Sequence, residues 1–155
     1  MASYLLDTNV VLRLIDRNDP KHGTCVSAIE TLTEQEQDIR LAPQVLVEFW
    51  VVATRPTSTQ NNERRGLGWS PTATDQHIGN LCRLFHLDVE TPDLFGQWRQ
   101  LVNIADTRGK RAHDARIAAF MKLHGINAIV TLNPSDFHGF GVQIVEPEQL
   151  VGSAS

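Results

Sequence analysis

In the stretch "SYLLDTNVVLRLI" an apolar run, Tyr4-Leu5-Leu6, ends on the bare carboxylate of Asp7. Burying an unpaired carboxylate is costly, so such a group has a partner or stands at an edge that water and ions reach. Three more acids stand at element ends. Glu48, in "VLVEFW", lies a little over one turn into a helix that begins right after a strand. Asp114 opens a helix in "RAHDARIAAF", and Asp136 follows the strand that Thr131 closes, in "TLNPSDF". In an open α/β sheet, ligands gather at the carboxyl ends of the strands, and chain connectivity can bring all four acids to one such rim. Two unit charges about 5 Å apart repel by roughly 3 kcal/mol at an effective dielectric of about 20. Several such pairs stay ionised together only with a cation among them. Oxygen ligands without Cys or His suit Mg²⁺, with Mn²⁺ as the alternative. Two such ions about 4 Å apart would activate a water and stabilise the leaving oxygen in phosphodiester cleavage.

Each acid alone also has a structural reading. Asp114 favours a helix N-terminus through the macrodipole. Asp136 suits a turn beside Pro134 and Ser135. Glu48 can be an exposed helix residue, although Val47, Phe49 and Trp50 make that side of the helix look buried. Asp7 is the hardest to explain this way, because the strand before it is wholly apolar.

The elements that must position these acids are legible as short apolar strands separated by helices. Residues 3–7 read as a buried strand, and Thr8 or Asn9 can cap a helix running to about Ile15. A helix over about 21–36 follows "NDPKHG", then the strand "IRLA", then a helix from Pro43 to about Ala53. The stretch 54–71 is polar and rich in turn formers, and loops of that length are often functional or mobile. Ser70-Pro71 opens a further helix, "LDVE" reads as a short strand, and Thr91-Pro92 starts another helix. His113 to His124 is helical and is stopped by Gly125. "INAIVT" and "VQIV" are the last strands. The strands are apolar on both faces, so the pattern predicts a three-layer α/β/α fold with a short, mainly parallel central sheet. One domain over 1–148 and a frayed tail over 149–155 are expected.

The bulk properties are those of a globular domain: 155 residues, with 41% of them hydrophobic. No apolar run is long enough to span a bilayer, and no signal peptide is legible. Cys25 and Cys82 have neither metal-ligand nor disulfide-framework spacing, which points to a reducing cytoplasm. The net charge of −4 argues against a non-specific nucleic-acid binder. Basic residues nevertheless cluster: Arg108, Lys110, Arg111 and Arg116 flank Asp114, and Arg64 and Arg65 lie in the polar loop. Such clusters are ordinarily solvated loops. An acidic site that must attract phosphate wants positive charge nearby, and the group around Asp114 is the first candidate for it. Trp69, in the polar loop, is a candidate for stacking on a base, whereas Trp50 and Trp98 read as core. The six histidines show no pairing that would make a metal site or a histidine-based ribonuclease.

With these residues in view, the sequence resembles the PIN-domain ribonucleases, and more narrowly the VapC-type toxins of bacterial toxin–antitoxin pairs. The resemblance rests on "LLDTNVVL", "VEFWVVATR", "RAHDARIAAFMKLHGINAIVTLNPSDF" and the closing "VQIVEP", in that order, and covers nearly the whole chain. It implies that Asp7, Glu48 and Asp114 match the family's first three acids, with Asp7 and Asp114 on the metal. Asp136 matches the fourth and least constant acid. Thr131 and Asn133 match polar residues near the ions, and Asn133 stands where many relatives have an aspartate. Asn9 matches a position that orients the first acid. The resemblance further implies an endoribonuclease that cuts structured RNA (tRNA or rRNA), a homodimer, and inhibition by a cognate antitoxin.

Two other readings compete. A catalytically inactive PIN domain would bind RNA or protein without cutting, although the matched acids speak against such a loss. A receiver-like signalling domain would need adjacent acids after the first strand and a lysine after a late strand, and neither is in place. The apolar residues Val10, Val11, Leu14 and Ile15 of the first helix serve either the core or a partner surface.

Overall fold

The computed structural model describes residues 1–58 and 65–151. Arg64, the centre of the 54–71 stretch and the tail 152–155 lie outside the described residues. Five strands form one sheet: β1 (Ser3–Leu6), β2 (Asp38–Leu41), β3 (His86–Leu87), β4 (Ala128–Val130) and β5 (Gln143–Val145). Seven helices accompany them among the described residues: α1 (Thr8–Ile15), α2 (His22–Glu34), α3 (Pro43–Thr54), α4 (Pro71–Leu84), α5 (Leu94–Ile104), α6 (Arg111–His124) and α7 (Pro147–Val151). A single 3₁₀ turn spans Pro134–Phe137.

The sheet order is β3-β2-β1-β4-β5, and every pairing is parallel. Parallel neighbours need crossover connections, which α-helices supply everywhere except between β4 and β5, where the 3₁₀ turn does, and a sheet covered on both faces wants strands apolar on both faces. β1 and β4 meet that demand. Leu5, Leu6, Ile129 and Val130 are fully buried, with Leu5 registered against Ile129 and Leu6 against Val130. The core continues through Val10, Val11, Val45, Phe49, Ile117, Ala118, Met121 and Phe137.

The topology decides where chemistry can collect. From β1 the chain builds outward through β2 and β3, then returns to lay β4 and β5 on the other side of β1. The strand order therefore reverses between β1 and β4. The crevice beyond the carboxyl ends of those two strands is the switch point where such sheets hold ligands. Asp7 follows β1 there, and Thr131 follows β4.

Several boundaries differ from the sequence reading; α6 begins at Arg111, β4 is only Ala128–Val130, and Asp7 itself caps α1. The strand expected over "LDVE" is His86–Leu87, and it ends where the Asp88 side chain turns to Arg40. α5 starts at Leu94, because Thr91 and Pro92 form a turn whose Thr91 carbonyl accepts from the Leu94 N–H at 3.1 Å. Residues 149–151, expected to fray, end helix α7; Leu150 and Pro147 are buried, and α7 packs on α2. Apolar anchoring of that kind overrides the usual fraying of a terminus.

Residues 66–69 run back along the end of α3 and satisfy its last carbonyls. The N–H groups of Leu67, Gly68 and Trp69 donate to the carbonyls of Val52, Arg55 and Ala53 at 3.1, 2.8 and 2.8 Å. Gly66 lies so close to α3 that a Cβ on it would overlap the Arg55 Cβ and the Val52 carbonyl oxygen. Backbone cannot yield as a flexible side chain would. Gly66→Ala is therefore expected to cost about 1–3 kcal/mol, the range of overpacked sites, seen as a lower urea midpoint at unchanged slope. An unchanged midpoint would show that the segment is not held against α3.

Candidate active site

Asp7 is the N-cap of α1, with extended backbone (φ −75°, ψ 159°) and only 6% exposure. Its Oδ1 accepts from the Thr8 N–H at 2.8 Å. Its Oδ2 accepts from the Thr131 hydroxyl at 2.7 Å and from Asn9 Nδ2 at 3.2 Å. The Thr131 bond crosses the β1–β4 switch point. Asn9 also accepts the Leu132 N–H on its Oδ1 at 3.1 Å, so one amide ties α1 to the loop after β4. Thr131 is fully buried and accepts the Asn133 N–H at 3.0 Å. Asn133 itself is exposed, and this backbone bond links it to Thr131.

Glu48 is half-buried on α3, and both its oxygens are held: Oε2 by the Thr8 hydroxyl at 2.7 Å and Oε1 by Gln44 Nε2 at 3.1 Å. Asp114 is half-buried in the first turn of α6, and Asp136 is half-buried in the 3₁₀ turn. The fold thus brings all four acids into one electrostatic neighbourhood. Burial raises the Asp114 carboxyl to about 7, and the negative charges of Asp136, Asp7 and Glu48 add to it, while Arg111 opposes. Burial likewise raises Asp7 to about 6. The Thr131 and Thr8 hydrogen bonds lower it, and Glu48 and Asp136 raise it. Both shifts have the signature of a desolvated carboxylate rim short of positive charge.

The donor set is oxygen throughout, which fits a hard divalent cation. Among the described residues, no three His, Cys, Asp or Glu side chains converge tightly enough to hold a metal ion by themselves. That openness still suits Mg²⁺, which keeps several of its waters and is commonly held by one or two carboxylates plus substrate phosphate.

The basic residues around Asp114 divide in two. Arg111 lies 4.7 Å over the Phe140 ring and donates to the His138 carbonyl at 2.6 Å, fixing the loop that carries Asp136. Arg116 pairs with Glu90 at 2.7 Å and donates to Gln44 Oε1 at 2.9 Å. Among the described residues Arg108 makes only a solvent-exposed pair with Asp106, and Lys110 is exposed at the start of α6. Arg65 is exposed. Trp69 is not a free stacking platform: it packs on the core, edge-on to Phe49 and beside His77, with centroids at 6.4 and 5.1 Å.

Gln44 and Thr8 escaped sequence reasoning as site residues. Gln44 donates to Glu48 and to the His113 carbonyl (2.9 Å) and accepts from Arg116, so it joins α3 to α6 beside Asp114. The only signal for it was the i,i+4 spacing to Glu48.

One consequence concerns Thr131. Its hydroxyl is the strongest influence keeping the Asp7 carboxyl ionised. Thr131→Val removes that bond at nearly constant shape, so in EDTA the Asp7 titration, followed by carboxyl carbon NMR, should move upward. A carboxyl that stayed put or moved down would mean that the hydroxyl does not stabilise the charged form.

A buried carboxylate at the switch point of a parallel sheet, ringed by further acids, places the chain among α/β proteins with polar chemistry at the sheet's carboxyl edge. The sequence profile of the PIN domain matches residues 4–139, and the chain belongs to that family. Comparison with curated proteins finds no match. Solved structures share the fold. That of FitAB bound to an IR36 DNA fragment is 21% identical, covering 94% of this chain and 95% of that one at a TM-score of 0.69. A toxin–antitoxin complex from Klebsiella pneumoniae is 18% identical over 93% and 97%, with a TM-score of 0.62. VapC20 from Mycobacterium tuberculosis, described as a sarcin–ricin loop cleaving toxin, is 21% identical over 81% and 86%, with a TM-score of 0.55.

Proposed function

We propose that this chain is a metal-dependent endoribonuclease toxin that hydrolyses phosphodiester bonds in structured RNA, tRNA or rRNA, and is held inactive by a cognate antitoxin. The observation that carries the reading is the rim itself, with Asp7 and Asp114 raised to about 6 and 7 by burial and by one another's neighbours. The family and the fold shared with a sarcin–ricin loop cleaving toxin and a toxin–antitoxin complex support it.

In this reading Asp7 and Asp114 hold the cation, Mg²⁺ or Mn²⁺, and Glu48 and Asp136 complete the catalytic set. A divalent cation bound there supplies charge neutralisation and a more acidic water. The chain's own part is preorganisation. Thr131, Thr8 and Asn9 fix both oxygens of Asp7, and Thr8 and Gln44 fix those of Glu48. Neither carboxylate then has to reorient as charge develops. Asn133 supports Thr131 through its backbone. Lys110 and Arg108 are the phosphate contacts, while Arg111 and Arg116 act by holding the loops and helices around the rim. Hydrolysis leaves a 5′-phosphate and a 3′-hydroxyl. The chain works in the cytoplasm as a homodimer.

A second reading, a PIN domain that binds RNA or protein without cutting, draws on the open arrangement of the acids. Total RNA incubated with the purified protein, with Mg²⁺ or Mn²⁺ against EDTA, separates the two. Discrete bands that need the metal support the nuclease. Intact RNA, with a folded protein that still retains RNA on a filter, supports the binder. For the antitoxin, the check is a small upstream reading frame whose product co-purifies with the toxin.

A further inference from the structure

We infer that the cavity between α5 and α6 is a nucleobase subsite, in which one unpaired base of the substrate strand stacks on Phe95 beside the carboxylate rim. The inference rests on the reading of the chain as an RNA-cleaving protein and adds where the strand is gripped. The cavity measures about 440 Å³, within the roughly 300–1,000 Å³ of small-ligand sites. Phe95 and Trp98, one helical turn apart on α5, form one wall, with ring centroids 5.8 Å apart and planes tilted by 38°. Trp98 is fixed, because its Nε1 donates to the Ala112 carbonyl at 2.9 Å. Phe95 is 67% exposed and offers its ring to whatever enters. Among the described residues every other Phe, Tyr and Trp is buried or half-buried, and any base can stack on an open aromatic ring.

The polar part of the lining favours a base over an apolar peptide side chain. Glu90 and Arg116, paired at 2.7 Å, place an acceptor and donors at the wall, with Thr91 nearby. These are the groups that hydrogen-bond base edges. Position points the same way. Arg116 bonds to Gln44, and Gln44 bonds to Glu48 of the rim, so cavity and rim share a wall. His113 and Arg116, both lining the cavity, flank Asp114 on α6. A strand whose phosphate lies at the rim would carry a neighbouring base to Phe95.

The test is binding of a labelled single-stranded oligoribonucleotide to the full chain carrying Asp7→Asn, so that nothing is cut. Adding Phe95→Ala should weaken binding roughly tenfold, and Phe95→Trp should restore it. Phe95 is exposed, so neither change should threaten the fold. An oligonucleotide series with one abasic position moved along it should contain a member that loses a similar factor with Phe95 and nothing further with Phe95→Ala, the mark of two changes removing one contact. Unchanged affinity in Phe95→Ala overturns the subsite, as do losses that simply add at every position. A fall in sedimentation coefficient with RNA affinity intact also overturns it and assigns the wall to a second copy. The nuclease reading fails separately: if wild type cuts no RNA while the Phe95 dependence of binding holds, the subsite stands and the catalytic assignment falls.

Discussion

Asp7→Asn is expected to lower RNA cleavage by at least about a thousandfold while making the metal-free protein more stable near neutral pH. A bound cation contributes several kcal/mol of charge stabilisation to such a reaction, and about 4 kcal/mol corresponds to a factor of a thousand. Removing the charge from the most buried carboxylate of the rim should forfeit most of it. The stability effect follows from linkage. The folded-state pKa of Asp7 is about 6, raised from an ordinary 3.8, so the folded protein holds this proton more tightly than the unfolded chain. Stability from this group is fully present below about pH 4 and is lost as the pH rises toward 6 and beyond. The loss is on the order of 3 kcal/mol for a group this buried. Asp114, raised to about 7, slopes in the same direction and extends the window upward. Asparagine has the same shape, caps a helix as well as aspartate does, and has no charge to desolvate. It disturbs the bond from the Thr131 hydroxyl, which offsets part of the gain. Urea midpoints in EDTA should therefore favour the variant by about 1–2 kcal/mol at pH 7.5 and by little at pH 4.5. Mg²⁺ or Mn²⁺ should raise the wild-type midpoint and leave that of the variant nearly unmoved, since only a native state that binds the ion is stabilised by it. A variant that cleaved RNA at the wild-type rate would end the assignment of Asp7. One as labile as wild type at pH 7.5 would show that its charge is not strained.

Much of this was legible in the sequence because each cue was local. An apolar tripeptide running into Asp7, a proline opening α3 at Pro43 and a glycine closing α6 at Gly125 all act within a turn of the residue concerned. Gly125 has the left-handed backbone (φ 63°) that its place after the helix demands. Strand faces apolar on both sides implied a covered sheet, and the sheet is parallel throughout. The parts that were not legible depend on where distant segments meet. Trp69 sits in a polar stretch, but the bonds of residues 67–69 to α3 press it onto Phe49. Arg111 and Arg116 read as candidates for phosphate contact, and their partners within the fold, His138 and Glu90, more than twenty residues away, were not legible. Leu150 looked like part of a frayed tail because its burial depends on α2, far upstream. Charge clusters are the least transparent signal, since sequence gives the sign of a charge but not its partner.

The sharpest example lies away from the rim, and it yields the second large expected effect. Arg40, inside β2, directs Nη1 to both oxygens of Asp88 at 2.9 and 2.8 Å and Nε to Asp38 at 2.6 Å. The hydrogen bonds to Asp88, then those to Asp38, hold the guanidinium pKa above even its usual range. Asp88 is 7% exposed, and His86 and His124 approach the same oxygen, Oδ1, at 3.2 and 3.8 Å. Arg40→Met keeps the stem of the side chain and removes the charge, leaving the Asp88 carboxylate buried without its main partner. Breaking one side of a buried pair costs about 3–5 kcal/mol, a large share of the 5–15 kcal/mol that holds a domain together. Adding Asp88→Asn to Arg40→Met should recover a good part of the loss, because the desolvated charge is then gone from both sides. Guanidinium midpoints of the wild type and the two variants at neutral pH decide the matter. A loss under about 1 kcal/mol for Arg40→Met, with nothing recovered on adding Asp88→Asn, would show that Asp88 reaches water and that this end of the sheet is held by packing alone.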